Sequence, residues 1–167
     1  PGESNTGPMT TERNLSPATD PRIAFFDKLA VEWDDGEQDP AETVARLEAL
    51  EELLYLESGQ RLLEVGCGTG QITGWLVEQV HPAEVVAVDF SDAMLTQAKA
   101  KGVEAEFRRA DVCSDSLGEG CFDVILCFHS FPHFRDQAAA LANLARALAP
   151  GGRFLVTHLN SAADVNA

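Results

Sequence analysis

Positive charge is scarce in this chain: 12 Lys and Arg stand against 27 Asp and Glu in 167 residues, a formal charge of −15. A field of that sign repels phosphate backbones, so no nucleic-acid partner is expected. Long apolar runs are missing as well. No stretch approaches the ~18 consecutive apolar residues of a membrane span, and no apolar signal segment opens the chain. The expectation is therefore no membrane partner and a cytoplasmic location. Cysteine is sparse too, and Cys67, Cys113, Cys121 and Cys127 lack the dense spacing of a secreted disulfide scaffold. Reduced, partly buried thiols follow. No internal repeat of 20 to 50 residues is visible, which excludes a solenoid.

A hydrophobic content of 45% over this length is enough for one ordinary core. Residues 1–20, rich in Pro, Gly, Ser, Thr and Asn, read as a disordered tail, in part carried over from cloning. Residues 21–58 read as an N-terminal helical segment. Ile23, Phe25, Phe26, Leu29, Ala30 and Trp33 share a helical face until Asp34-Asp35-Gly36 breaks it. A second helix starts near Pro40 and carries Val44, Leu47, Leu50, Leu53 and Leu54 as far as Ser58-Gly59. The nine acids between Glu32 and Glu52 form a solvated face on this segment.

Residues 59–167 alternate in kind. Apolar strands are expected at Arg61 to Val65, Glu84 to Val88, Glu104 to Arg108, Phe122 to Phe128 and Gly152 to His158. Helices fall near Gln71 to Gln79, Asp92 to Lys101 and Arg135 to Leu148, with Ser91 capping the middle one and Pro150-Gly151-Gly152 stopping the last. That alternation predicts an α/β fold, a doubly wound, mostly parallel Rossmann-like sheet in the order 3-2-1-4-5 with helices on both faces. Ligands then sit at the carboxyl ends of the strands, near the order reversal.

The run Leu62-Leu63-Glu64-Val65-Gly66-Cys67-Gly68-Thr69-Gly70 feeds a buried strand into a turn where glycine permits unusual φ angles and close approach of a ligand. A turn of this kind alone does not select the cofactor. A dinucleotide fingerprint needs a small third residue for helix-on-strand packing, and that position, counted from Gly66, is Gln71.

The arrangement E-x-G-C-G-T-G from Glu64 to Gly70 instead resembles motif I of class I S-adenosylmethionine-dependent methyltransferases. Further landmarks extend the resemblance. Val85-Val86-Ala87-Val88-Asp89-Phe90-Ser91 looks like the family's second strand with its terminal acid, 19 residues after Gly70. Asp111-Val112 follows the third strand. Phe122-Asp123-Val124-Ile125-Leu126-Cys127 and Leu148-Ala149-Pro150-Gly151-Gly152-Arg153-Phe154 are similar to the fourth strand and the turn into the fifth. Phe26 to Asp34 resembles the leader helix of small-molecule methyltransferases, which can close over the cofactor.

What the resemblance implies is S-adenosyl-L-methionine as cofactor and methyl transfer to a small-molecule acceptor by in-line displacement. It places Gly66, Cys67, Gly68 and Gly70 near the methionine moiety, with Glu64 organising the turn. Asp89 is expected to hold the ribose, Phe90 and Met94 to flank the adenine, and Asp111 with Val112 to meet its edge. Phe128 is expected to line the same site. A sulfonium is a good leaving group, so alignment of the reacting atoms supplies much of the acceleration. A base matters only for an acceptor that must lose a proton.

His129 and His133, just past the fourth strand, are the candidates for that role, with a neutral imidazole available near pH 7. The spacing Cys127, His129, His133 matches no compact zinc pattern, so no metal is expected. The family's usual C-terminal antiparallel strand pair is absent from this sequence. Strand five is then expected to present an exposed edge, belonging to a truncated chain, to a variant closed by the N-terminal helices, or to a homodimer that pairs there. The competing functions are a non-catalytic cofactor-binding partner subunit and an NAD(P)-dependent oxidoreductase.

Overall fold

A computed structural model describes residues 20–36, 39–81 and 83–159. The expected N-terminal tail lies almost wholly outside these residues. Five strands, β1 (Leu62–Val65), β2 (Val85–Asp89), β3 (Glu106–Arg109), β4 (Phe122–Phe128) and β5 (Leu148–Thr157), form one sheet in the order β3-β2-β1-β4-β5. Every pairing is parallel. The expected order is the observed one, because each helical crossover returns the chain to a parallel neighbour.

Six helices surround the sheet: α1 (Pro21–Leu29), α2 (Pro40–Glu48), α3 (Glu51–Leu54), α4 (Thr73–Val80), α5 (Asp92–Ala100) and α6 (Gln137–Ala147). Side chains set most of their starts. Asp20, Asp39, Ser91 and Asp136 each accept a hydrogen bond from a backbone N–H in the first turn that has no intrahelical partner. Asp136 thereby starts α6 two residues later than the sequence suggests. α4 begins at Thr73 instead of Gln71, since the glycine turn runs on through Ile72.

Alternate residues of the central strands feed two cores. Leu62, Val85, Val124 and Leu126 pack against Leu47, Trp75 and Leu76 from α2 and α4. Leu63, Val86, Ile125 and Cys127 face the other way, onto Ala140, Leu144 and Ala147 of α6. Both faces of β1 are thus covered, which explains its unbroken apolar pattern around Glu64. Truncating Leu63 to Ala would cost about 2–5 kcal/mol in so closed a site.

Two expectations about helices change. The helix expected over residues 40–54 divides at Ala49-Leu50, and its second part ends on Tyr55 with φ 48°, beneath the Arg153 guanidinium 5.6 Å from the ring. The first helix stops at Leu29, and Trp33–Asp35 forms a separate 3-10 turn. β5 starts earlier than expected, because Leu148 already pairs with Phe122 before a register shift leads to Val124 and Arg153. Its far side pairs with no described strand, and Val156 is 43% exposed there. The N-terminal helices reach β5 through the apolar cluster of Leu47 and Leu54, against which Leu155 packs, and through hydrogen bonds. Arg153 donates to the carbonyls of Leu54 and Tyr55, and Arg46 donates to that of Leu159.

Candidate active site

A cleft of about 1040 Å³, counting its open mouth, lies over the carboxyl ends of β1, β2 and β4 where the sheet order reverses. Its floor is the turn after β1. Gly66 and Cys67 donate their N–H groups to the carbonyl of Val88 at 2.8 and 3.0 Å, which locks the turn onto β2. Gly66 has φ +72°, and a Cβ there would lie 2.4 Å from the Cβ of Ser130. Ser130 in turn donates its hydroxyl to the Val65 carbonyl at 2.6 Å. Only glycine fits between them. Gly70 stands apart from the cleft lining, and its missing side chain lets the turn approach Ala98 of α5 instead.

Two carboxyl groups are buried beside this turn. Glu64 is 2% exposed and accepts the Thr73 hydroxyl at 2.6 Å. Burial, opposed by that bond and helped by repulsion from Asp89, pushes its pKa up to about 8. Asp89 is 7% exposed, and its two oxygens accept N–H groups from Gly68 and Ser91, each at 2.9 Å. Burial raises its pKa also, against those two bonds. The Cys67 thiol alongside is pushed well up by burial and by both carboxyl groups. The cleft floor is therefore short of positive charge.

The other expected residues also line this cleft. Phe90 and Met94 sit at the β2 end, where Ser91 caps α5 through the Met94 N–H. Val112 and Asp111 come from the turn after β3. The Asp111 carboxylate is already engaged, Oδ1 by the Cys113 N–H at 2.9 Å and Oδ2 by Arg135 at 3.0 and 3.1 Å. Phe128 and the two histidines complete the far wall.

The histidines differ. His129 has φ +55°, and its Nε2 accepts the Leu159 N–H at 3.1 Å. Burial and the neighbouring His158 hold its pKa down at about 4. His133 is exposed at the mouth, 6.1 Å centroid to centroid from Phe26, and its ring makes no hydrogen bond among the described residues. Partial desolvation by the cleft wall lowers its pKa as well, with smaller contributions from His158 and Arg22. Of the two rings, only that of His133 keeps a nitrogen lone pair for a new partner.

Several lining groups carry no mark in the sequence pattern. Arg22 donates to the His133 carbonyl, and Thr69 and Gln71 both donate to Asp34. Ser130 wedges the glycine turn. These pairs are far apart in sequence, so no local spacing signals them; only the S-F-P-H segment after β4 pointed to the region.

Sheet order, glycine turn and acidic strand ends together define a Rossmann-like cofactor-binding domain. Comparison with known proteins narrows this. Residues 63–156 match the family model described as "Methyltransferase domain". The chain is 37% identical over 109 residues to the demethylmenaquinone methyltransferase of Thermus thermophilus, covering 63% of this chain and 50% of that protein. It is 34% identical over 160 residues to a ubiquinone biosynthesis O-methyltransferase of Alkalilimnicola ehrlichii, covering 90% and 63%. Among solved structures, the DhpI-SAM-HEP complex superposes with a TM-score of 0.71 at 25% identity, over 84% of this chain and 65% of that one. The chain belongs to the methyltransferase domain family, as a class I S-adenosylmethionine-dependent member. It spans about half to two thirds of the length of these curated relatives.

Proposed function

We propose that this protein binds S-adenosyl-L-methionine in the cleft over β1, β2 and β4 and transfers the methyl group to an oxygen of a small-molecule acceptor. The observation that carries this reading is the pair of buried carboxyl groups, Glu64 and Asp89, at the glycine turn. Among the described residues neither forms an ion pair, so the site favours a ligand carrying positive charge and disfavours the pyrophosphate of a dinucleotide. The cofactor, when bound, supplies a methyl group activated by a sulfonium leaving group.

In this reading the turn at Gly66, Cys67 and Gly68 receives the methionine end, and Glu64 keeps the turn in shape through Thr73. Each Asp89 oxygen retains a lone pair beyond its backbone bond, enough for the two ribose hydroxyls. Phe90 and Met94 hold the adenine, with Val112 at its edge. Oδ1 of Asp111 keeps one further lone pair for the exocyclic amine, while Arg135 orients the carboxylate through both lone pairs of Oδ2. Phe128 walls the acceptor side. His133 is the group placed to take a proton, because His129 would have to surrender its bond from Leu159 to do so.

The names of two relatives, a demethylmenaquinone methyltransferase and a ubiquinone biosynthesis O-methyltransferase, support a quinone-related acceptor. An aromatic hydroxyl suits a mouth lined by Phe26, Trp33, Phe134 and His133. All four cysteines are free, which supports a reducing, cytoplasmic setting. Among the described residues no helix is long and apolar enough to cross a membrane. The open far side of β5 is where a second copy would pair; sedimentation of the chain as a monomer at all concentrations would remove that homodimer.

Calorimetry with S-adenosylhomocysteine and with NAD tests the cofactor. Binding of the thioether alone is expected, and NAD binding without it would overturn the reading. Transfer of a labelled methyl group to a phenol or quinol then separates the enzyme from a non-catalytic binder. Asp89→Ala is expected to weaken thioether binding by ~1–3 kcal/mol, and an unchanged affinity would reject the ribose assignment.

A further inference from the structure

α1 covers the cleft mouth without burying a single side chain of its own. A nine-residue helix is marginal in isolation, so contacts elsewhere must hold it. They combine ring contacts with a few polar bonds. Phe26 meets the rings of Trp33, Phe90 and His133 at centroid distances of 5.9, 5.7 and 6.1 Å. Ser91 donates its hydroxyl to Asp27 at 2.5 Å.

The densest contact is at Asp34, in the 3-10 turn just after α1. Its Oδ1 accepts the Thr69 hydroxyl at 2.6 Å and the Gln71 side-chain amide at 2.9 Å. Its Oδ2 lies 2.7 Å from Nζ of Lys101, at the end of α5. Two of these donors belong to the segment that carries the cofactor turn, and Thr69 is only 1% exposed. One carboxylate therefore ties the covering segment to the shape of the turn beneath it.

We propose that Asp34 is a positioning residue that latches residues 20–36 over the cleft and fixes the glycine turn through Thr69 and Gln71, so that release of the cofactor requires the latch to open. The proposal rests on the cofactor reading above for its ligand but not for the latch itself. Charge-assisted bonds are stronger than neutral ones, and here they add to the ring contacts of Phe26 in a helix that buries no side chain fully. An element so held belongs to the low-stability end of the molecule, where openings occur without global unfolding.

The test uses the 167-residue chain with Asp34→Ala, Asp34→Asn, Lys101→Met and the Asn/Met double variant. Stopped-flow measures dissociation of S-adenosylhomocysteine, and hydrogen exchange is followed across residues 20–36 and the central strands. Asp34→Ala is expected to speed dissociation about tenfold, in keeping with loss of a charged acceptor, and to deprotect α1 while β1, β2 and β4 keep wild-type protection. Asparagine still accepts from Thr69 and Gln71 but loses the ion pair, so Asp34→Asn should match Lys101→Met, and the double variant should be no worse than either. Wild-type dissociation and exchange in Asp34→Ala, or additive effects of the two partial variants, would overturn the latch. Failure of the wild-type chain to bind the thioether would overturn the cofactor reading instead, and α1 exchange without ligand would still decide for or against the latch.

Discussion

Replacing Glu64 with glutamine should make the ligand-free protein more stable above pH 5, although it removes a charge from the centre of the candidate site. The unfolded chain releases the Glu64 proton at an ordinary 4.5, whereas the folded protein holds it until about 8. The native state therefore binds more protons across that interval, and stability falls as pH rises from the first value to the second, then levels off. At ~1.4 kcal/mol per pH unit of separation, the wild-type protein forfeits about 3 kcal/mol by pH 7 relative to pH 4.5. For a domain of this size that corresponds to a melting temperature lower by roughly 6–12 °C. Glutamine stays neutral, keeps an oxygen for the Thr73 hydroxyl and nearly preserves volume. Thermal melts of both proteins from pH 5 to 8.5 should accordingly start close together and diverge. Asp89, also raised, leaves the variant a residual slope of the same sign. Asp20, Asp34 and Asp123 titrate below the ordinary carboxylate range because Arg and Lys partners hold them there, and they contribute only in stronger acid. Melting curves that run parallel across this range would refute the neutral carboxyl at Glu64.

Other outcomes follow from the same geometry. Gly66→Ala combines a positive φ, worth ~1–2 kcal/mol, with a clash against Ser130 worth ~1–3 kcal/mol, whereas Gly68→Ala has open space and carries the first cost alone; denaturant melts should rank them so, and equal losses would contradict the wedge. His133→Ala should lower methyl transfer to a phenolic acceptor by about 10²–10⁴-fold with little change in thioether affinity. The acid limb of the wild-type rate profile should fall below pH 6.5, because the His133 pKa is lowered; a limb above 6.5 would remove His133 as the base. Binding of a cationic cofactor should release a proton from Glu64 near pH 7, visible as a dependence of the calorimetric heat on buffer ionisation enthalpy and absent in Glu64→Gln.

The sheet was legible because the central strands are short apolar runs separated by helical segments with their own start and stop signals, a pattern that favours parallel neighbours; β3, Glu106–Arg109, is polar and was placed by that alternation alone. The turn at Gly66 and the acid at Asp89 were legible for a related reason: their constraints are local, set by backbone angles and by strand ends. Long-range pairs were not. Asp34 finds Thr69 across 35 residues and Ser130 finds Val65 across 65, and neither pair leaves a period or a spacing behind. The left-handed conformation of His129 was also hidden, since a non-glycine residue gives no warning of it. The two histidines differ in what they meet: the His129 ring accepts from Leu159, whereas His133 stands at the mouth.

β1 is hydrogen-bonded on both sides, to β2 through Leu62↔Val85 and to β4 through Leu62↔Val124. The second pairing closes a loop of about sixty residues, and its entropy must be met before any packing on that side repays it. Refolding should therefore be slow for a chain of this length. The wall of the cleft that carries Ser130 and His133 can form only after β4 docks, so recovery of ligand binding should follow the slowest refolding phase and not the early formation of helices.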